Sequence, residues 1–177
     1  ERKYTSGRFS FNSNLGRCPA CGGAGFERVE MQFLPDVLVP CEDCEGKRYL
    51  GEVLDVRYRG YTIAEVLDMT IEEASDLFKE EKQFQRITGT VIKLGLGYLR
   101  LGQPLTQLSA GEAQRLKLLR HLMSSTKDRL FFILDEPSVG LHLADISALL
   151  KLLELLVDEG HTVCVIEHNM EIVKCAD

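Results

Sequence analysis

The chain has 177 residues, 45% of them hydrophobic, and a net charge of −6. This is enough apolar content for one core or a core plus a small satellite, and the charge excludes a globally basic nucleic-acid binder. No apolar run reaches the ~18 residues that span a bilayer and no signal-peptide pattern opens the chain, so a soluble cytoplasmic protein without a membrane partner is expected.

Residues 1–60 carry nine Lys/Arg against nine Asp/Glu, and residues 61–177 twelve against eighteen, so any nucleic-acid contact must be local. The chain opens on Glu1 and closes on "KCAD" inside an apolar-periodic segment. A piece of a longer protein is expected from both ends.

Residues 1–17 are polar and rich in Gly, Ser and Asn, with an extended character at "GRFSFN". "CPACGGAG" at 18–25 and "CEDC" at 41–44 then supply two CxxC pairs separated by 19 residues. That spacing predicts one closed structural zinc site on Cys18, Cys21, Cys41 and Cys44, each pair forming a knuckle and the intervening hairpin folding one onto the other. Four reduced thiols without metal are the alternative; a redox CxxC fits less well, because such motifs occur singly in a βαβ setting. Cys164 and Cys175 lie in apolar or helical contexts, which suits a reducing compartment. The glycines of both knuckles can take positive φ and leave backbone amides pointing at sulfur.

Val29, Met31 and Phe33 alternate with Arg28, Glu30 and Gln32, which predicts a half-buried strand, and Leu54, Val56 and Tyr58 alternate in the same way. Residues 18–60 thus read as a small β-rich zinc module. Its basic residues nearest the second knuckle, Lys47, Arg48, Arg57 and Arg59, are candidates for DNA phosphates, or else a solvated face.

Beyond residue 61 the pattern becomes helical. Thr62 with Glu65, and Thr70 with Glu73, have the spacing of capping boxes, so two helices should begin there. Phe84, Ile87, Val91 and Leu94 predict the buried face of a longer helix running to about Gly95. Pro104 marks a loop, Ser109 can cap the next helix, and Leu116, Leu119 and Leu122 give that helix a buried face. "LFFIL" and "TVCVI" read as fully buried strands flanking a helix over 144–158, a βαβ unit with a parallel sheet. The fold class expected is α/β with the cysteine module attached.

The first of these strands ends in Asp135 and Glu136, and the second is closed by Glu167 and His168. Adjacent carboxylates at a strand's C-terminal edge can place one group on a magnesium shell and the other beside an attacking water. "LSAGEAQR" at 108–115 offers a hydroxyl, small residues and free amides at a helix start, a site for phosphate, although Ser109 can equally be a simple cap.

The order "LSAGEAQR", "FFILDEPSVGLH", "VIEHNM" resembles the ABC-type ATPases: signature motif, Walker B with its glutamate, D-loop and switch histidine. Together with the cysteine module, "FLPDVLVPCEDCEGKRYL" and "LGLGYLRLGQPLTQLSAGEAQR", it resembles more narrowly the C-terminal ATPase half of the UvrA family, the damage-recognising component of the bacterial nucleotide excision repair excinuclease, over residues 9–177. The resemblance implies an ATP-dependent protein that recognises damaged double-stranded DNA, works as a homodimer and recruits the helicase-like partner UvrB. It implies ATP with Mg²⁺ as cofactor, with Asp135 on the magnesium shell, Glu136 orienting or deprotonating the hydrolytic water and His168 sensing the γ-phosphate. Ser109 and Gly111 would meet the γ-phosphate of ATP held by the other ATPase half. The zinc of Cys18, Cys21, Cys41 and Cys44 would help couple nucleotide state to DNA.

In these terms residues 1–17 would be an N-terminal piece of the ATPase region, 18–60 the zinc module, 61–126 a helical signature subdomain, and 127–177 a partial ATPase core. Two departures stand out: Ala110 replaces the first glycine of the signature, and no G-x-x-x-x-G-K-[ST] loop is present, so this piece alone should not hydrolyse ATP. The first knuckle also resembles the CxxCxGxG repeat of DnaJ co-chaperones at Cys18, Cys21, Gly23 and Gly25, while Arg48 stands where the second repeat would end in glycine. The rival expectations are therefore the nucleotide-binding domain of another ABC ATPase and a DnaJ-like zinc-dependent polypeptide-binding module.

Overall fold

A computed structural model describes residues 4–31, 36–122, 128–139 and 141–177. The chain forms two compact units, residues 1–68 and 69–177.

The first unit holds an antiparallel pair, β1 (Phe26–Val29) and β2 (Val37–Pro40), in the register Phe26↔Pro40 to Val29↔Val37. It also holds two short helices, α1 (Gly51–Leu54) and α2 (Ile63–Asp68). The strand expected around Val29 begins at Phe26 and hides no face: Val29 and Met31 are exposed, as are Val37, Leu38 and Val39 opposite, while Phe33 lies outside the described residues. The core of this unit sits elsewhere, with Tyr49 and Val53 almost fully buried and the Tyr49 hydroxyl donating to the Phe9 carbonyl at 2.8 Å.

The strand expected at Leu54, Val56 and Tyr58 does not form. Residues 51–54 coil instead, because the Leu54 amide reaches back to the Leu50 carbonyl and Val53 turns into the core. Tyr58 and Tyr61 then exchange both backbone hydrogen bonds across Arg59 (φ 51°) and Gly60 (φ 91°), a tight turn with both central residues at positive φ. The apolar alternation there is the accident of a helical turn running into a hairpin turn.

The second unit is built from α3 (Ile71–Leu77), α4 (Lys82–Lys93), α5 (Ala110–Leu122), β3 (Phe131–Asp135), α6 (Leu143–Asp158), β4 (Thr162–Ile166) and α7 (Met170–Val173). Both expected capping boxes are present, at the start of α2 in the first unit and of α3 in the second. The Glu65 carboxylate accepts from the Thr62 amide at 2.6 Å, the Glu73 carboxylate accepts from the Thr70 amide at 2.8 Å, and each threonine hydroxyl accepts in return. Helix α4 stops before Gly95, whose φ of 70° ends it. Its buried side carries Thr88 and Val91 rather than Ile87, which is exposed; the Thr88 hydroxyl lies 3.1 Å from that of Ser75 on α3.

Strands β3 and β4 pair in parallel, Phe131 opposite Thr162 through Asp135 opposite Ile166, with α6 as the crossover. They are not fully buried as the apolar runs predict. Phe132, Leu134, Val163 and Val165 pack against the core formed by Leu149, Leu152 and Leu156 of α6, whereas Phe131, Ile133 and Ile166 are at least half exposed. Among the described residues only one face of this two-stranded sheet is covered. Helix α5 buries Leu118 and Leu119, with Leu116 partly buried; the Leu122 side chain lies outside the described residues. Among the described residues no helix is long and apolar enough to cross a membrane.

Candidate metal centre and carboxylate–histidine edge

The first unit brings Cys18, Cys21, Cys41 and Cys44 together as the spacing predicts, with all four sulfurs within 4.8 Å of one another. Pairing of β1 with β2 does this: below Phe26↔Pro40 the Cys41 amide donates to the Gly25 carbonyl, and the Cys18 amide donates to the Arg48 carbonyl on the other side. Each knuckle aims a backbone N–H at sulfur, Gly25 at Cys21 (3.3 Å) and Arg48 at Cys44 (3.4 Å).

The turns require positive φ at Gly22, Gly23, Gly25 and Gly46. At Gly23 a Cβ would also fall 2.3 Å from the Phe11 carbonyl oxygen. Arg48, the residue in place of glycine, takes φ 71° all the same and lays its guanidinium over the Phe11 ring at 5.2 Å. A non-glycine residue in that region costs about 1–2 kcal/mol, so the closing of the cluster is what holds it there.

Burial opposes ionisation of Cys21, yet the amides of Gly25 and Gly23 and the neighbouring thiols outweigh it and bring the group down to about 7. Cys44 is pushed up to about 12, first by burial and then by the sulfurs around it. A bare cluster therefore resists full deprotonation, and a cation among the sulfurs would remove that resistance. The four thiols are free of disulfides and could hold one metal ion.

The four basic candidates in this unit are each engaged within it. Lys47 pairs with Glu45, Arg48 stacks on Phe11, Arg57 donates to the Gly60 carbonyl at 2.7 Å, and the Arg59 guanidinium lies 5.4 Å from the Tyr58 ring centroid.

The second unit places Asp135, Glu136 and His168 at the C-terminal edge of the β3–β4 pair. The Glu136 amide extends the ladder by donating to the Ile166 carbonyl at 2.9 Å, and Glu136 then takes φ 45° as the chain turns into Pro137. This brings the Glu136 Oε1 to 3.4 Å from the His168 Nε2, with both side chains open to solvent. Asp135, the last residue of β3 and the residue before Glu136, is exposed. Residues far apart in sequence thus present two carboxylates and an imidazole at one edge, although among the described residues only the four cysteines lie close enough together to hold a metal ion.

Ser109 and Gly111 are at the start of α5. Ser109 caps the helix as expected, its hydroxyl accepting from the Glu112 amide at 3.2 Å while the Glu112 carboxylate accepts from the Ser109 amide. Ala110 is not among the positive-φ residues, so its methyl group meets no backbone requirement for glycine. At Gly111 a Cβ would sit 2.8 Å from the Cδ2 of Leu141, the far end of a flexible side chain, so a larger residue there would require that side chain to move.

Three further residues of this region lie within the quoted motifs, yet the sequence assigns them no role. Arg115, 5% exposed, donates to the Gly111 carbonyl and, at 2.8 Å, to Asp145, tying α5 to the first turn of α6. Tyr98 donates to Glu112, which pushes Tyr98 up to about 12 and holds the Glu112 carboxyl low. Glu167 accepts from the backbone amides of Ser138, His168 and Asn169. Burial opposes its charge, but the Ser138 hydroxyl and those amides prevail, taking it from the ordinary 4.5 to about 2. Since the folded value is depressed, its contribution to stability is fully present above about pH 4.5 and is lost as pH falls towards 2. A carboxyl NMR titration should find Glu167 ionised at pH 4; a midpoint at or above 4.5 would contradict the bonds that surround it.

No protein-family model matches the chain. UvrABC system protein A of Listeria monocytogenes serotype 4b (strain F2365) is 56% identical over 177 residues, 99% of this chain and 18% of that protein. The protein of the same description from Methanothermobacter thermautotrophicus is 54% identical over 177 residues, 100% of this chain and 18% of its own length. The crystal structure of UvrA2 from Deinococcus radiodurans superposes with a TM-score of 0.89 at 49% identity, covering 99% of this chain and 22% of that one. The chain is therefore related, end to end, to one segment of UvrABC system protein A, and spans about 18% of the length of the curated relatives it matches.

Proposed function

We propose that this chain, related throughout to UvrABC system protein A, is the part of a nucleotide excision repair protein that carries a structural zinc module and one edge of an ABC-type ATP site. The observation that carries the reading is an identity of 56% over an alignment of 177 residues, 99% of the chain, which spans the unit holding the cysteine cluster as well as the unit holding the Glu136–His168 edge. A transporter ATPase or a polypeptide-binding zinc module would account for one unit and leave the other unexplained.

In this reading zinc is the metal of Cys18, Cys21, Cys41 and Cys44. Sulfurs at ~2.3 Å around a tetrahedral zinc stand about 3.8 Å apart. The Cys21 and Cys44 sulfurs are already 3.7 Å apart and all four lie within 4.8 Å of one another, so the cluster would close by at most about 1 Å around the ion. The role is structural, since four thiolates close the coordination sphere.

At the other edge Asp135 would hold Mg²⁺, whose charge would stabilise the phosphate oxygens of bound ATP. Glu136 would align or deprotonate the attacking water, and His168, 3.4 Å from it, would report the γ-phosphate to the chain beyond β4. Residues Ser109 and Gly111 would face ATP held by a second ATPase half, with α5 as part of a helical signature subdomain. With no phosphate-cradling loop in its sequence, the segment would need the rest of the protein to hydrolyse ATP. The full-length protein would act in the cytoplasm as a homodimer on damaged double-stranded DNA and hand it to UvrB.

The test is binding of the full-length protein to an undamaged duplex and to one with a single bulky adduct, with and without ATP. A preference for the adduct that shifts with nucleotide is expected; equal binding to both duplexes would count against a repair role. Replacing Lys47 and Arg48 together by Ala should weaken binding to both duplexes and reduce the salt slope by about 2, roughly one for each phosphate no longer neutralised. An unchanged slope would assign both side chains to their partners Glu45 and Phe11 alone.

A further inference from the structure

Glu167 directly follows Ile166, the last residue of β4, and its two oxygens serve two different loops. Oε1 accepts from the Ser138 amide at 2.7 Å, in the turn that follows β3. Oε2 accepts from the His168 amide at 2.9 Å and the Asn169 amide at 3.0 Å, and Asn169 in turn caps α7 through the Glu171 amide. A single carboxylate thus joins segments 29 residues apart.

The turn it holds contains Glu136 at φ 45°, a conformation that a residue with a Cβ keeps only when its surroundings over-determine it. Glu136 is gripped from both sides by consecutive residues of β4's end: the Ile166 carbonyl accepts from its own amide, and the Glu167 carboxylate accepts from the amide two residues on. The other oxygen of Glu167 fixes the backbone of His168, the residue whose imidazole faces Glu136.

We propose that Glu167 is a positioning residue for ATP hydrolysis: it locks the turn that aims Glu136 and the loop that aims His168, and so sets their separation before substrate arrives. The inference rests on the ATPase reading of this edge. Both oxygens of Glu167 are committed to backbone amides, so its effect passes through Glu136 and His168. The low value of its carboxyl keeps all three bonds charge-assisted throughout the neutral range.

The test is steady-state ATP hydrolysis by the full-length protein carrying Glu167→Gln, Glu136→Gln and both. Gln retains the shape but turns an amide against at least one of the amides it should accept from. Glu167→Gln should lower kcat about 10- to 100-fold with KM for ATP within about twofold, since misplacement of a reacting group by about an ångström has that effect. In the Glu136→Gln background it should lower kcat no further, because both changes act on the same step. An unchanged kcat for Glu167→Gln, or losses that multiply in the double variant, would overturn the assignment. If Glu136→Gln itself leaves turnover intact, the ATPase reading of this edge fails and this inference with it. Amide exchange on the unsubstituted protein reads the same bonds without relying on a variant: the Ser138, His168 and Asn169 amides should exchange slowly, and exchange at the rate of an open peptide would dismiss the lock.

Discussion

Replacing Glu136 by Gln in the full-length protein is expected to lower ATP turnover about 10²- to 10⁴-fold, the range lost when a positioned general base is removed, while ATP still binds. At 1.36 kcal/mol per tenfold this is about 3–5 kcal/mol of transition-state stabilisation. The size of the effect follows from where the side chain is held. Glu136 occupies a left-handed conformation (φ 45°), is anchored to β4 through the Ile166 carbonyl, and stands 3.4 Å from His168. Gln keeps that shape and loses the charge, so retained ATP with turnover arrested separates chemistry from folding. Steady-state rates together with trapped nucleotide are the measurement, and a rate within about twofold of the parent would show that water is directed by some other group.

Exchanging Cys41 for Ser is expected to abolish metal binding and to melt residues 1–68. Cys41 is 1% exposed and shares its cluster with Cys18 and Cys44; outside that cluster, among the described residues, the buried apolar side chains of the unit are Tyr49, Val53 and Val66. A structural zinc site contributes apparent free energies of about 10–16 kcal/mol, against about 5–15 kcal/mol for the net stability of a whole domain. Loss of one thiolate therefore exceeds what so small a core can supply. Elemental analysis should give one zinc per chain for the parent and none for the variant, with a matching loss of amide protection around Tyr49 and Val53. Freshly purified reduced protein without zinc, or a variant as protected as its parent, would show that the cluster folds without metal.

Features encoded within a few residues of one another were legible before folding. The CxxC pairs, the capping boxes at Thr62 and Thr70 and the glycines that need positive φ follow from interactions inside short windows, the β3–α6–β4 order follows from the succession of apolar patterns, and the structure realises each of them. The errors lie where a short window admits two answers. Alternation around Leu54 and Tyr58 suits a strand, and only the packing of Val53 chooses a helical turn. An apolar run such as "LFFIL" suits burial on both faces, and only the position of α6 says that Phe131 and Ile133 are left bare.

Sequence by itself determined the chemistry available: four thiols at metal-ligand spacing, and carboxylates and a histidine at strand ends. Tertiary structure decided which of these groups meet and how they are held. Glu136 and His168 are 32 positions apart in sequence and 3.4 Å apart in space. No local pattern marks Glu167 as the residue that ties their loops together, nor Arg115 as the buried link between α5 and α6. The physical reason is range. Caps, knuckles and turns are fixed by bonds spanning two to four residues, while the edge site depends on parallel strands brought side by side by a sixteen-residue helix, and on backbone amides whose direction exists only after that pairing.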